Sequence, residues 1–151
     1  MSFNSLRASL QQPAFGLLAM RVTIGILMVY YGATKFLGAF QNGGLEQFGR
    51  IGQNVAYIGI PADDSSLTAV LFGLAAACAE LFGGLLMIAG WWFRPAAFFL
   101  FCTMLVATVM KIQVSEGALS EFAYPLVMGM MVFGLFWTGP GRFSFGEKSA
   151  A

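Results

Sequence analysis

Four runs of apolar residues constrain this chain more than any other feature. They lie at about 14–38, 67–90, 95–113 and 120–138, and each is near the ~20 residues needed to cross a hydrocarbon core of ~30 Å as a helix. A membrane offers a chain only helices or closed barrels, and runs this long select helices. The expectation is an all-α polytopic membrane protein, a four-transmembrane-helix bundle forming one domain over 1–151. Composition agrees, with 58% hydrophobic and 10% charged residues and a mean hydropathy of +0.76, far from the balance of a soluble domain. A net charge of +1 gives no bulk electrostatic reason to expect nucleic acid as a partner.

Arg7 ahead of the first run is reminiscent of a secretory signal. However, Arg21 splits the run and no small-x-small cleavage site follows, which favours a retained span. Basic residues in short loops set orientation. With the N-terminus inside, Arg7, Arg94, Arg142 and Lys148 are cytoplasmic, and Arg50 is outside beside Glu46, Asp63 and Asp64. Both termini are then cytoplasmic. Trp91, Trp92 and Trp137 fall at the inner interface, where indoles prefer to sit. Pro95 suits a helix start, and Gly139, Pro140 and Gly141 suit a helix end. The short connection at 90–94 makes the second and third spans antiparallel neighbours.

In the long loop at about 39–66, Leu45, Phe48, Ile51, Val55 and Ile58 recur at helical spacing, with Glu46, Arg50, Gln53 and Asn54 largely on the other side. This reads as a short amphipathic helix on the outer surface. Gly49 and Gly52 count against it, and an irregular loop is the alternative.

Two charges lie inside the slab. Glu80 is ten residues from the inner end of the second span, about 15 Å deep, and Arg21 is about 10 Å from the same surface on the first. Charges at such depth face the protein interior and find partners. Arg21, Gly25, Met28, Gly32 and Lys35 form one stripe of the first span, and Gly73, Ala77, Glu80, Gly84 and Met87 form one of the second. Small residues at this spacing allow close helix contact in lipid. These stripes predict an Arg21–Glu80 ion pair, either purely structural or also lining a ligand pocket. A lone protonated Glu80 is the remaining alternative.

Lys35 and Lys111 are near the outer ends of their spans. Each could snorkel to the interface; Lys35 could instead close an interior cavity beside Tyr30, Tyr31 or Tyr124. Those tyrosines also suit interface or packing positions. Glu121 could pair with Lys111 or favour a helix N-terminus.

The chain has no histidine, which excludes histidine-ligated haem and the usual imidazole metal sites. Cys78 and Cys102 have no C-x-x-C spacing and read as small hydrophobes. Cys78 is some 200° around the helix from Glu80. No catalytic residue is assigned, and no metal site.

The chain resembles the DoxX family over about residues 14–146. The matching elements are Arg21, Gly25, Gly32 and Lys35; "GIP" at 59–61; "AELFGGLLMIAG" at 79–90 followed by Arg94; "EFAYPL" at 121–126; and "GPGRFS" at 139–144. The resemblance implies a four-helix membrane bundle, often a small subunit of quinone-linked oxidoreductases such as the related thiosulfate:quinone oxidoreductase subunit. It also implies redox partners in oxidative-stress handling. Where members often carry a histidine near the end of the third span, this chain has Lys111. Where they often carry an aspartate, it has Gly146. The resulting expectation is a bacterial inner-membrane subunit that binds quinone or supports an electron-transfer complex, with no covalent cofactor and no redox centre of its own. Its expected partners are membrane lipid and either other subunits of a redox complex or further copies of itself. In the quinone reading Arg21, Glu80 or Lys35, with a tyrosine hydroxyl, meets the carbonyl oxygens. A non-catalytic scaffold or assembly factor is the rival, and a small-solute transporter a weaker one, since four spans with no inverted repeat leave little room for alternating access.

Overall fold

A computed structural model describes residues 13–145. Arg7, Gly146 and Lys148, used above for topology and family comparison, lie outside the described residues. Helix α1 spans Pro13–Asn42, α2 Leu45–Gly52, α3 Leu67–Ala89, α4 Phe93–Val114 and α5 Leu119–Thr138, with a 3-10 segment at Gln53–Ile58. There is no strand among the described residues. The helices α1, α3, α4 and α5 are long and apolar enough to cross a membrane. The chain is thus a multi-pass membrane protein of all-helical architecture.

Punctuation in the sequence explains the boundaries. The Ser66 hydroxyl accepts from Ala69 N–H to cap α3, satisfying one of the orphan donors of a first turn. Gly90 ends the helix at φ 70°, in the left-handed region that glycine adopts without a Cβ clash. Pro95 falls in the first turn of α4, where its missing N–H costs nothing.

Helices α1 and α3 meet backbone to backbone. A Cβ on Gly25 would lie 2.7 Å from Gly84 O, and one on Gly84 would lie 2.7 Å from Gly25 O. A Cβ on Gly32 would press on the backbone of Leu81. The small-residue stripes therefore form the tight contact expected of them, and they fix the antiparallel register of the pair. Below the crossing, Ile24, Met28, Met87, Leu100, Met104, Val132 and Leu135 fill the core among α1, α3, α4 and α5.

The α2 segment is helical, with Phe48, Gly49 and Gly52 buried. It is docked on α3. A side chain at Gly52 would collide with the Ala69 carbonyl, and one at Gly73 with the Phe48 carbonyl. A Cβ on Gly49 would collide with the Asp64 carbonyl just ahead of α3, so both glycines that counted against a helix, Gly49 and Gly52, are what allow the segment to dock. The 3-10 segment continues the roof to α4, where Gln113 Nε2 donates to Tyr57 O at 3.3 Å.

At the opposite end, residues 139–145 fold back over the bundle, and Phe145 N–H donates to Ala89 O at 3.2 Å. Arg94 and Arg142 belong to this end, and Arg50 to the α2 end. Trp91, Trp92 and Trp137 are exposed at the same end as Arg94.

Candidate functional site

Glu80 is 3% exposed, and its partner is Lys35. The Lys35 ammonium donates to Glu80 Oε1, so the carboxylate on α3 is neutralised by α1, as a charge at this depth requires. The second oxygen, Oε2, is buried and has no hydrogen-bond partner among the described residues.

The expected Arg21–Glu80 pair is not formed. Arg21 is 2% exposed and serves the other end of the bundle, where Nη1 donates to Pro140 O at 2.8 Å and Nη2 donates to Phe143 O. The register explains the difference. With Gly25 against Gly84, Arg21 comes level with Gly90, whose Cβ, if present, would strike the guanidinium. Gly90 is ten residues along α3 from Glu80, about 15 Å, beyond an arginine's reach. Lys35, four turns further along the same stripe of α1, is the residue brought level with Glu80.

Beside this pair lies a cavity of about 360 Å3, at the lower end of the ~300–1,000 Å3 found for small-molecule sites. Ile51, Asn54, Val55 and Ile58 roof it, Phe72, Ala75, Ala76 and Ala79 wall it from α3, and Phe99, Cys102, Thr103, Val106 and Ala107 wall it from α4. Lys35 and Glu80 complete the lining. The alanines make the space: they hold α3 and α4 at packing distance while leaving the volume a larger side chain would fill. Thr103 Oγ1 already donates to Leu100 O at 2.8 Å. Lys35, Asn54 and Cys102 bring further polar groups to the lining, whereas Glu80 Oε2 is itself buried.

The other residues singled out in the sequence lie elsewhere. The rings of Tyr31 and Tyr124 pack 5.5 Å apart, and Tyr30 packs edge-on to Tyr31, all three partly exposed and none lining the cavity. Lys35 thus closes a cavity, as one reading of it expected, but without the tyrosines. Lys111 pairs with Glu121 at 3.0 Å, with both side chains substantially exposed, so this link ties α4 to α5 outside the site. Cys78 does not line the cavity.

Sequence reasoning missed Cys102, Thr103, Phe99, Phe72 and the contribution of α2. A weak signal was present: Cys102 and Thr103, with Phe99 a turn before and Val106 a turn after, fall on one side of α4 at i, i+3 and i+4 spacing. Nothing in that pattern distinguishes a cavity wall from a lipid face.

These features define a class: a small four-span bundle that keeps an intramembrane lysine–carboxylate pair beside an apolar cavity. The DoxX family model matches residues 16–112, which covers α1 through most of α4 and includes Arg21, Lys35, Glu80 and Cys102. The chain belongs to the DoxX family. No curated protein and no solved structure is detectably similar to it.

Proposed function

We propose that this DoxX family protein is a small subunit of the bacterial inner membrane that contributes a quinone-binding cavity to an oxidoreductase complex. It has both termini in the cytoplasm and carries no redox centre of its own. One observation carries the reading: an apolar cavity between α2, the 3-10 segment, α3 and α4 is lined by both members of an ion pair whose buried carboxylate oxygen lacks a second partner among the described residues. A pair serving the bundle alone gains most when both carboxylate oxygens are satisfied, because a buried acceptor left unpaired costs about 1–3 kcal/mol. The residues fit a quinone headgroup. Phe72, Phe99 and Val106 offer apolar contact to a flat ring, and Lys35 retains N–H donors for a carbonyl oxygen. Glu80 can take up or release a proton at Oε2. When bound, a quinone would accept electrons that a partner protein must provide. Orientation is supported by Arg94 and Arg142 sharing one end of the bundle while Arg50 sits with Glu46, Asp63 and Asp64 at the other.

The test is mild detergent extraction, with identification of the proteins and lipophilic compounds that accompany the chain. A quinone and a redox enzyme in the extract support the reading. Glu80→Gln should then lower quinone-dependent activity of the complex; full activity in a well-assembled variant removes the proton role from Glu80.

A scaffold or assembly role is the second reading, and Arg21 favours it. That intramembrane cation is spent on holding the segment 139–145 in place, so a buried charge in this chain can serve assembly alone. Recovery of the chain only as a bare homo-oligomer supports this alternative.

A further inference from the structure

The cavity owes its shape to the way α3 and α4 part. The two helices press together at Gly83, where a Cβ would lie 3.2 Å from Leu100 Cγ. From there toward α2, Ala75, Ala76 and Ala79 line one side of the gap and Thr103 and Val106 the other, and Val55 and Ile58 of the 3-10 segment cover its top. The lining is not uniform. Where α1 backs the space, Glu80 is buried and Lys35 half-buried. On the side away from α1, Phe72 and Phe99 are 41% and 58% exposed, and Ala75 between them is exposed as well. All three belong to membrane-crossing helices, so the charge is at the back and the mouth is apolar and opens onto lipid. Phe72 is five residues inside the start of α3 at Leu67, about 8 Å, and Phe99 is fifteen residues from the end of α4 at Val114, about 22 Å. The mouth therefore lies below the membrane surface, mainly in the half of the bilayer on the α2 side.

Volume decides how much of a molecule stays outside. An apolar cavity of about 150 Å3 holds benzene, so about 360 Å3 takes a substituted ring and little of a long chain. The α2 side is shut by direct contact, since Gly52 lies against the Ala69 carbonyl and Gly73 against the Phe48 carbonyl, with no space for a Cβ at either. We infer that the cavity is a side pocket open to the bilayer: a chain-bearing molecule dissolved in the membrane enters ring first between α3 and α4, its tail stays among the lipid chains, and water past α2 is not the route. The inference rests on the cavity being a ligand site. It adds the route and the architecture of the ligand, a ring small enough for the cavity on a tail whose length and far end the protein does not select.

Cys102 lines the cavity and reports access to it. The experiment uses the full chain with Cys78→Ala, reconstituted in phospholipid vesicles, and follows alkylation of Cys102 by N-ethylmaleimide. A sulfonated, membrane-impermeant maleimide present on both faces should react at least about tenfold more slowly, because its charge is costly in hydrocarbon; equal rates reveal a water route and overturn the inference. Ala75→Phe narrows the mouth and should slow N-ethylmaleimide at least about fivefold, the lower end of what overpacking costs a close-packed site. An unchanged rate in the assembled variant overturns the route. Should that variant not assemble, the two maleimides and the following pair of probes decide. Protection of Cys102 is titrated with a decyl benzoquinone bearing no ring hydrogens, to which the thiol cannot add, and with the same molecule carrying triphenylphosphonium at the end of its chain. Compared at equal concentration in the bilayer, the two should protect alike, since the bulky cation stays outside with the tail. Protection by the first alone shows a cavity that encloses its whole ligand; it overturns the inference and leaves the quinone reading standing. Protection by neither, with the maleimide and Ala75→Phe results as expected, overturns the quinone reading and leaves the lateral mouth to another chain-bearing occupant.

Discussion

Arg21 and Glu80 are about equally buried, at 2% and 3% exposure, but the groups around them differ. Arg21 meets the carbonyls of Pro140 and Phe143, backbone acceptors of the segment that folds back beyond α5. Glu80 meets one side chain and keeps an oxygen free next to a cavity. Both charges would be costly in lipid. At the Arg21 end the charge holds the segment that closes the bundle, and at the Glu80 end it is paired by a lysine beside a cavity. Each keeps one buried polar atom without a partner among the described residues, Arg21 Nε and Glu80 Oε2, so neither burial nor that count identifies a site; the cavity that Glu80 lines and Arg21 does not is what separates them.

If that comparison holds, the two ends should respond differently to substitution. Arg21→Ala leaves two carbonyls without donors and frees the 139–145 segment. The expected loss is about 2–4 kcal/mol of stability, read as a lower midpoint of thermal unfolding and faster proteolysis near Arg142. Cys102 labelling in the assembled fraction should not change. A variant as stable as the parent would mean that the clamp is not holding the end closed.

A somewhat smaller effect is expected from Gly52→Ala. Its Cβ would meet the Ala69 carbonyl, and forcing packed elements apart costs about 1–3 kcal/mol. The displaced α2 should uncover the cavity, so that an impermeant maleimide now labels Cys102. Unchanged labelling would show that α2 is not its roof.

Glu80→Gln should cost little stability, within about 1 kcal/mol, because the amide has the size of the carboxyl group it replaces and Lys35 can turn to the interface. What it should lower is the quinone-dependent activity of the proposed complex. A large loss of stability with no change in ligand response would move Glu80 to the structural side of the comparison. Lys111→Ala is expected to do least. Its pair with Glu121 is exposed, and such pairs contribute about 0–1 kcal/mol; a shift beyond that in thermal unfolding would point to a role for this pair that its geometry does not explain.

The spans were legible because hydropathy over twenty residues is a strong signal. The predicted 67–90 became Leu67–Ala89, and 120–138 became Leu119–Thr138. The glycine stripes were legible as well, since helical phase follows from spacing. Axial register was not. The stripe places Arg21 and Lys35 on the same face of α1, but only the contact of Gly25 with Gly84 decides which of them comes level with Glu80. The acceptors of Arg21 were hidden for a second reason: backbone carbonyls carry no residue signature, and Pro140 and Phe143 reach Arg21 only after the chain doubles back beyond α5. The cavity was illegible because alanines that pack a helix and alanines that line a void read alike. Gly49 and Gly52 misled in the same way, since a glycine that weakens an isolated helix is the residue that lets it dock.

The central claim is that Lys35, and not Arg21, is the partner of Glu80. Two double-mutant cycles test it directly, one on Lys35→Met with Glu80→Gln and one on Arg21→Met with Glu80→Gln, each read by equilibrium or thermal unfolding in the same detergent. Residues in direct contact couple by about 0.5–3 kcal/mol, while separated ones add within about 0.5. The expected result is clear coupling in the lysine cycle and additivity in the arginine cycle. Coupling confined to Arg21 and Glu80 would contradict the register, the pair and the site built on them.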